Sequence, residues 1–377
     1  MISACLAALA IGSLWPTLDG STVRASAQRP GPSTPESLLV VSAAEHALTV
    51  HDPLTGNRRA YFRVGIAPSS VAVSSDGRTA VVTNRGSQLS GNSICVIDLY
   101  ASNIVRTIEL TVSDQRPNGD VVEREYHRPS GAIFLPDRPR VLVTCATEGA
   151  LLLVDLINAR VVADVLLDEI DAEGVVLDHT GRYAFVSHRS SGTVSVVSVD
   201  GMRVVETIDA GGQPSGMALH PDKNEVWVAN RTTNSISIID ADALRERTEV
   251  PSGAMPVDLD FTPDGRNALV LNHQEGNVSV IDTESLRVRT VITLNRVTPQ
   301  QAQDRPVDQP AAFGRSPLPT RITVDPMGER AWVATARDDR ITEVDLKRWR
   351  LRRSIDTLRE PICVELSQPK EPLAKSR

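Results

Sequence analysis

One phrase of 27 residues recurs along this chain and restricts its fold more than any other feature. Residues 214–240 read PSGMALHPDKNEVWVANRTTNSISIID, and residues 256–282 read PVDLDFTPDGRNALVLNHQEGNVSVID. The first residue of the phrase returns at anchors that are mostly 42 or 43 residues apart, namely Pro68, Pro129, Ala172, Pro214, Pro256, Pro319 and Pro361. A repeat with this period indicates an array of similar structural units.

Each unit contains four short segments in which apolar and polar residues alternate. In the unit that begins at Pro214 these segments are SGMALH, EVWVAN, SISIID and RERTEV. Tight-turn sequences such as PDK and PDG separate the segments, and no helical pattern intervenes. Four strands in a unit of this length are typical of a β-propeller blade.

The two ends of the repeat region complement each other. The early segments SLLVVS, HALTVHD and RAYFRVG match the second, third and fourth strands of a unit, whereas PICVELSQP at 361–369 matches a lone first strand. Joining them completes one blade from residues 36–65 and 361–367 and protects the sheet edges at the closure. The sequence therefore predicts an all-β fold, a seven-bladed β-propeller of four-stranded blades over residues 36–369, closed by a C-terminal first strand that completes the N-terminal blade.

Charge and composition exclude several classes of partner. The chain has a formal net charge of −7 and 41% hydrophobic residues, but only 3% aromatic residues. An acidic protein has no general attraction to nucleic acid or to an anionic membrane, and few aromatic side chains are available to stack on bases. We expect an aliphatic, β-branched core and no nucleic-acid partner.

The N-terminal 27 residues resemble an export signal. The apolar run from Ile2 to Trp15 is too short to span a membrane, and Ala25-Ser26-Ala27 has the small-residue pattern of a cleavage site. No Lys or Arg precedes the apolar run, which departs from the usual pattern. We expect residues 1–27 to be a signal peptide, 28–35 a linker and 370–377 a tail. The mature chain would then be a periplasmic or secreted monomer with no membrane span.

The cysteines give no sign of a covalent cofactor. Cys95, Cys145 and Cys363 follow the expected cleavage site, and each lies in an apolar, strand-like run, so we expect them to be buried and unpaired. The sequence contains no C-x-x-C-H, the motif that attaches c-type haem. On this basis we predict no cofactor and no c-type haem.

The phrase PSGMALHPDKNEVWVAN, followed by SISIID, resembles the repeat of the YVTN-type β-propeller family. VVTN, WVAN and VLNH stand where that family has YVTN, and the resemblance covers residues 36–369. It implies the propeller fold and an exported bacterial protein, and it leaves the activity open. The haem domains of some relatives are not implied, because the attachment motif is absent here.

The extra length in the repeat falls on one face of the predicted propeller, which we call the top face. This face carries the connections from second to third strands and from each fourth strand to the next blade. The insertions are residues 85–92, 111–128 and 295–316. Binding residues concentrate on loops of a rigid scaffold, so we expect a binding site there, although plain surface insertions also cost little stability.

Polar residues at the ends of the second strands form a ring on the top face. Arginine suits bidentate capture of a carboxylate or phosphate, and asparagine suits a turn-capping role. The alternative is that each arginine pairs with a nearby surface acid, which contributes little. The candidate ligand-binding residues of this ring are Asn84, Arg85, His188, Arg189, Asn230, Arg231 and His273, joined by Arg128 at the end of the second insertion.

The first strands are expected to line the central channel. Two residues after the anchor, most units carry a small residue, which suits a crowded channel mouth. Asp258 and Arg321 are charged exceptions in neighbouring units, and a pair between them is the plain explanation. Glu173 is a further charged departure, and a carboxylate in such a place can serve as a ligand or base.

Two functions remain open from the sequence. The first is an exported, non-catalytic binding or scaffold module that holds a protein partner or a small anionic ligand in the funnel. The alternative is a lactonase-type hydrolase or lyase with a divalent metal in the channel, for which few carboxylates qualify as ligands. A minor third hypothesis is a partner of a periplasmic redox protein. Of these we favour the binding module, without a metal.

Overall fold

The computed structural model describes residues 36–87, 91–115, 120–136, 138–294 and 316–367. Within these ranges the chain forms seven four-stranded antiparallel sheets and one two-stranded hairpin. The seven-bladed propeller predicted from the repeat is therefore confirmed. None of the described residues belongs to a helix with the length and apolar character needed to cross a bilayer.

The strands are numbered in chain order and grouped by blade. Blade 1 contains β1 (Ser37–Ser42), β2 (Ala47–His51), β3 (Arg58–Arg63) and, as its innermost strand, β30 (Pro361–Ser367). Blade 2 contains β4 (Pro68–Val73), β5 (Thr79–Asn84), β6 (Ser93–Asp98) and β7 (Asn103–Glu109), and the hairpin β8 (Thr111–Gln115) and β9 (Val121–Glu125) follows. Blade 3 contains β10 (Pro129–Phe134), β11 (Arg140–Cys145), β12 (Ala150–Asp155) and β13 (Arg160–Leu166). Blade 4 contains β14 (Ala172–Leu177), β15 (Tyr183–His188), β16 (Thr193–Ser198) and β17 (Arg203–Asp209). Blade 5 contains β18 (Pro214–Leu219), β19 (Glu225–Asn230), β20 (Ser235–Asp240) and β21 (Arg245–Pro251). Blade 6 contains β22 (Pro256–Phe261), β23 (Asn267–Asn272), β24 (Asn277–Asp282) and β25 (Arg287–Thr293). Blade 7 contains β26 (Pro319–Val324), β27 (Arg330–Thr335), β28 (Arg340–Asp345) and β29 (Arg350–Asp356).

Blade 1 joins the two ends of the propeller. β30 pairs antiparallel with β1, and the register places Val364 opposite Val40 and Cys363 opposite Val41. β30 also contacts β4 and β26, the innermost strands of the neighbouring blades, so the innermost strands form a continuous ring. The predicted closure by a C-terminal first strand is confirmed.

The hydrophobic core is divided among the junctions between blades. Each pair of neighbouring blades shares its own cluster of buried aliphatic side chains. Middle strands such as β5 and β20 are buried on both faces, which explains their continuous valine and isoleucine runs. The outer strand β7 instead alternates between exposed and partly buried residues. The three cysteines expected to be buried and unpaired are so.

Hydroxyl side chains connect neighbouring innermost strands. Ser69 Oγ donates to the carbonyl of Pro129 over 2.8 Å, and Ser215 Oγ donates to the carbonyl of Val257 over 2.9 Å. Because a buried backbone carbonyl without a partner is costly, these hydroxyls stabilise the inner wall of the ring.

Carboxylates close the turns between third and fourth strands. Asp155 Oδ1 accepts the N–H groups of Ile157 and Asn158, each over 2.9 Å. The N–H of Asn158 stabilises the charged form and thereby lowers the pKa of Asp155. The recurring acid of the repeat therefore has a structural role, which is shared by Asp98, Asp155, Asp240, Asp282 and Asp345.

We expect the variant Asp155→Ala to lose about 1–2 kcal/mol of unfolding free energy, because two turn N–H groups lose their acceptor. Folding lowers the pKa of Asp155, so its stabilisation is present above about pH 4 and is lost as the pH falls through the folded-state pKa. Urea denaturation at pH 7 and pH 3 measures both effects. Ser198→Ala, at the same position of blade 4, is the control and should change stability by less than about 0.5 kcal/mol. An equal loss in the two variants would contradict the turn-closing role.

The connection between blades 2 and 3 contains a β-hairpin, where the sequence indicated an irregular loop. β8 pairs with β9 and contacts β13. Val112 packs against the cluster between blades 2 and 3, and Arg124 forms an ion pair with Asp164 at 3.1 Å. The alternation in TVSDQ and VVERE accounts for these strands. The insertion at 295–316 lies outside the described residues except for Ser316.

Candidate functional site

The innermost strands surround a central cavity of about 650 Å³, which we call the channel cavity. Gly131, Gly174 and Gly216 lie on its wall, where the absence of a side chain lets neighbouring innermost strands approach closely. At Gly216 a Cβ atom would lie 2.4 Å from Asp258 Oδ1 and 2.7 Å from the carbonyl of Val257, so β22 leaves no room for a side chain there. The predicted site residues that line the channel cavity are Arg85, Glu173, Arg231, His273 and Arg321.

Arginines from blades 2, 4 and 5 meet at the top of this cavity around one carboxylate. Glu173 Oε1 lies 3.9 Å from Arg85 Nη2 and 3.6 Å from Arg189 Nη1. Among the described residues, Arg231 has no ion pair within 4 Å. Three buried polar atoms here lack hydrogen-bond partners within the described structure, namely Arg85 Nε, Glu173 Oε2 and Arg231 Nε. Arg85 and Arg189 therefore flank the carboxylate of Glu173, and Arg231 lines the same cavity.

The positive charge of this cluster is only partly neutralised. Burial lowers the pKa of Arg85, Glu173 pulls it back up, and Arg128 and Arg189 lower it further. Burial also lowers the pKa of Arg231, with a smaller contribution from Arg189. Guanidinium groups remain charged despite such shifts, so the cluster presents positive charge to anything in the channel.

A second cavity of about 240 Å³ adjoins the first, and we call it the side cavity. It is lined by Arg85, Arg128, Asp171, Glu173 and Arg189, among others. Arg128 Nη1 lies 3.9 Å from Asp171 Oδ1. Both residues have positive φ, 53° and 55°, a conformation that residues other than glycine rarely adopt. Asp171 was not predicted, because the contact depends on the folded connection between blades 3 and 4, although its place just before the anchor Ala172 was a usable signal.

His273 is the one predicted histidine that reaches the channel cavity. Its Nδ1 lies 2.8 Å from the carbonyl oxygen of Pro319, which can only accept, so Nδ1 carries the proton and Nε2 carries the lone pair. Burial lowers the pKa of His273, Pro319 opposes the shift, and Arg231 and Arg337 lower it further. The imidazole is therefore neutral, and a backbone carbonyl fixes its orientation as is usual for metal-ligating histidines.

Asp258 and Arg321 form the predicted pair across blades 6 and 7, at 3.4 Å. Asp258 is 2% exposed, and its Oδ2 also accepts the N–H of Ile322 over 2.9 Å. Burial raises the pKa of Asp258, and Arg321 and the Ile322 N–H offset only part of that shift. Asp260 accepts the N–H of Val324 over 2.8 Å, and burial raises the pKa of Asp260 to about 6. These carboxylates hold β26 against β22, which is a structural role.

Three other predicted ligand-binding residues do not reach either cavity. Asn84, His188 and Asn230 have no exposed surface. Asn84 Oδ1 accepts the N–H of Gly65, Asn230 donates to Ser237 Oγ, and His188 Nε2 lies 2.8 Å from Ser195 Oγ. Ser237 and Ser195 lie on the third strands of the same blades as Asn230 and His188, and Gly65 lies in the connection from blade 1 to blade 2. These internal partners hold the three side chains away from the cavities. We therefore remove these three from the candidate ligand contacts.

The described residues offer no group of three or more His, Cys, Asp and Glu side chains that could hold a metal ion. His127, near the acids of the second insertion, instead lies 2.7 Å from Glu148 Oε1 through its Nδ1. Glu148 lies in the β11–β12 turn. Its contact with His127 is not apparent from the spacing of the two residues along the chain.

A model of one protein family matches part of this chain. Residues 172–301, which cover blades 4, 5 and 6, match the cytochrome D1 heme domain. The matched segment contains Glu173, Arg189, Arg231 and His273. The match spans three of the seven blades, so it shows a similarity to that family over this part of the chain.

Solved structures share the fold at low sequence identity. A functionally unknown protein from Desulfotomaculum acetoxidans DSM 771 has a TM-score of 0.68 and 14% identity, over 88% of this chain and 99% of its own. The hydrazine synthase of Kuenenia stuttgartiensis has a TM-score of 0.64 and 17% identity, over 80% of this chain and 90% of its own. The dihydro-heme d1 dehydrogenase NirN, solved in complex with DHE, has a TM-score of 0.61 and 16% identity, over 90% of this chain and 76% of its own. A search of curated proteins gave no match.

These comparisons bear on two predictions from the sequence, the absence of a cofactor and the resemblance to the YVTN family. The prediction that the chain has no cofactor was wrong. The family matched at residues 172–301 is a heme domain, and one structural neighbour is a heme d1 dehydrogenase, so the comparisons point to heme-related binding. The absence of C-x-x-C-H bears only on covalent c-type attachment and leaves non-covalent haem open. The comparisons support a propeller family, but they do not single out the YVTN repeat.

Proposed function

We propose that the top of the channel cavity binds an anionic tetrapyrrole of the haem class. Arg85, Arg189 and Arg231 would pair with its carboxylates, and Nε2 of His273 would ligate its iron. The observation that carries this proposal is the position of His273, whose Nδ1 is held by the carbonyl of Pro319 and which lines the same cavity as Arg85 and Arg231.

The residues present suit such a group in three respects. The channel cavity of about 650 Å³ lies within the range of roughly 300–1,000 Å³ typical of cofactor sites. Arg85 and Arg231 line the cavity, and guanidinium groups can donate to an incoming carboxylate. The match of residues 172–301 to a heme domain supports the same class of ligand.

The bound group would supply an iron centre for electron transfer or ligand chemistry. The chain's own residues would hold and tune it. The carbonyl of Pro319 keeps His273 in one tautomer, and the arginines would orient the carboxylates of the bound group.

The wider role remains that of an exported binding module, and export rests on the leader-like N-terminus, which lies outside the described residues. A role in a redox system is favoured over the hydrolase alternative by the names of two structural neighbours, a hydrazine synthase and a heme d1 dehydrogenase. The hydrolase alternative lacks a metal-binding donor set among the residues described.

Titration of the purified protein with haemin tests the proposal. We expect saturable binding at one haemin per chain with a shifted Soret band. His273→Ala should remove the histidine-dependent part of that spectrum, and Arg231→Gln should weaken binding about tenfold, equivalent to about 1.4 kcal/mol. His179→Ala and Arg203→Gln, both away from the two cavities, are the controls. Absence of saturable binding, or equal spectra for His273→Ala and His179→Ala, would overturn the proposal.

A further inference from the structure

Glu173 is held in an unusual way within the side cavity. Its carboxylate lies between Arg85 and Arg189 at 3.9 and 3.6 Å, beyond ordinary hydrogen-bond distance. Its Oε2 is buried and has no hydrogen-bond partner in the described structure. A carboxylate that served only to bind these arginines would form short bidentate contacts, so this one balances charge without satisfying either partner.

The other acid of the side cavity is differently placed. Asp171 accepts a hydrogen bond from Ser190 Oγ and lies 3.9 Å from Arg128. Asp171 is therefore fixed to the β15–β16 connection by Ser190, whereas no described hydrogen bond holds the buried Oε2 of Glu173, whose side chain can turn toward the open channel. Once Glu173 has turned away, the guanidinium groups of Arg85, Arg128 and Arg189 share the side cavity with one carboxylate, that of Asp171.

We infer that the side cavity is a carboxylate-binding subsite and that Glu173 occupies it as an internal competitor until a ligand carboxylate displaces it. This deepens the proposed function, because it assigns one acidic arm of the ligand to a place of its own. The exposed heads of Arg128 and Arg189 and the partly buried Arg85 supply donors in the planar geometry that carboxylates accept.

The dimensions and connections of the side cavity fit this role. Its volume of about 240 Å³ far exceeds the roughly 10–15 Å³ that a single water requires. Arg85 and Glu173 line both cavities, so a ligand in the channel can extend one arm past them. The subsite therefore selects ligands that carry a carboxylate at that edge over neutral analogues of the same shape.

Calorimetric titration with succinate tests the subsite without haem. We expect weak binding to the wild type, about tenfold tighter binding to Glu173→Gln, because the competitor loses its charge, and no measurable binding to Arg189→Gln. Glu206→Gln and Arg203→Gln are the matched controls, since both are exposed on the outer strand of the same blade and should bind as the wild type does. If Glu173→Gln binds succinate as weakly as Arg189→Gln, then Glu173 positions the arginines and the inference is wrong.

A second titration compares haemin with haemin dimethyl ester, whose carboxylates are blocked. Glu173→Gln should bind haemin more tightly than the wild type and leave binding of the ester unchanged. The two proposals fail separately. If succinate binding responds to Glu173→Gln and Arg189→Gln as expected but haemin does not bind, the haem proposal is wrong and the subsite stands. If haemin binds with an affinity that Glu173→Gln does not change, the subsite is wrong and the haem proposal stands.

Discussion

Removal of residues 361–377 is expected to abolish the cooperative thermal unfolding of the propeller. The deletion removes β30, which pairs with β1 along its whole length and contacts the innermost strands of blades 2 and 7. It uncovers Leu38, Val40 and Trp332, which are buried against Val364 in the cluster between blades 7 and 1. Each fully buried aliphatic side chain contributes about 1.5–3 kcal/mol, so the loss is comparable to a typical total stability of about 5–15 kcal/mol.

The control for this experiment is a shorter deletion, of residues 370–377, which leaves β30 intact. Its melting temperature should remain close to that of the full chain, as should that of a chain lacking residues 28–35. Circular dichroism melts of the three truncated proteins provide the comparison. Similar melting temperatures for the 361–377 and 370–377 deletions would contradict closure of the ring by β30.

Replacement of Arg321 by leucine is expected to cost about 3–5 kcal/mol of unfolding free energy at pH 8. The change leaves the carboxylate of Asp258 buried with no cation beside it, and an unpaired buried charge is far more costly than a lost surface pair. The double variant Asp258→Asn with Arg321→Leu should recover much of the loss, because the asparagine oxygen can still accept the N–H of Ile322.

The cost of Arg321→Leu should depend on pH in a defined direction. Burial raises the pKa of Asp258, so the folded protein binds a proton there more readily than the unfolded chain does. Stability that is present below the unfolded-state pKa of about 4 is therefore lost as the pH rises through the folded-state pKa. Without Arg321 the folded-state pKa rises further, so the variant should lose less at pH 5 than at pH 8. Urea unfolding at both values measures this, and a loss that is larger at pH 5 would show that Asp258 is not the source.

The repeat allowed the architecture to be predicted because each blade encodes its own strands. The alternating segments, the turn sequences and the lone strand at 361–369 are local signals, and the closure follows from counting them. The hairpin at 111–125 was missed, because residues of mixed polarity such as VVERE become a strand only when β8 lies beside them and against blade 3.

The site was only partly predictable, for a different physical reason. Position in the repeat identified Arg85, Arg189 and Arg231 as neighbours, and the structure places Arg85 and Arg189 on either side of Glu173. Position in the repeat could not distinguish side chains that face the channel from those that point into a blade. Asn230 and Arg231 are adjacent in sequence, yet Asn230 is fully buried at the end of β19 and Arg231 lines the cavity. The proposed haem site was also beyond local signals, since non-covalent haem requires no attachment motif.

The pairing of β1 with β30 also sets an order of events during biosynthesis. These strands are separated by more than 300 residues, so their contact is among the last that a chain emerging from the ribosome can make. Blades 2 to 7 can each form from consecutive residues, but blade 1 must wait with one strand missing. A nascent chain therefore stays an open arc until β30 has been synthesised and pairs with β1.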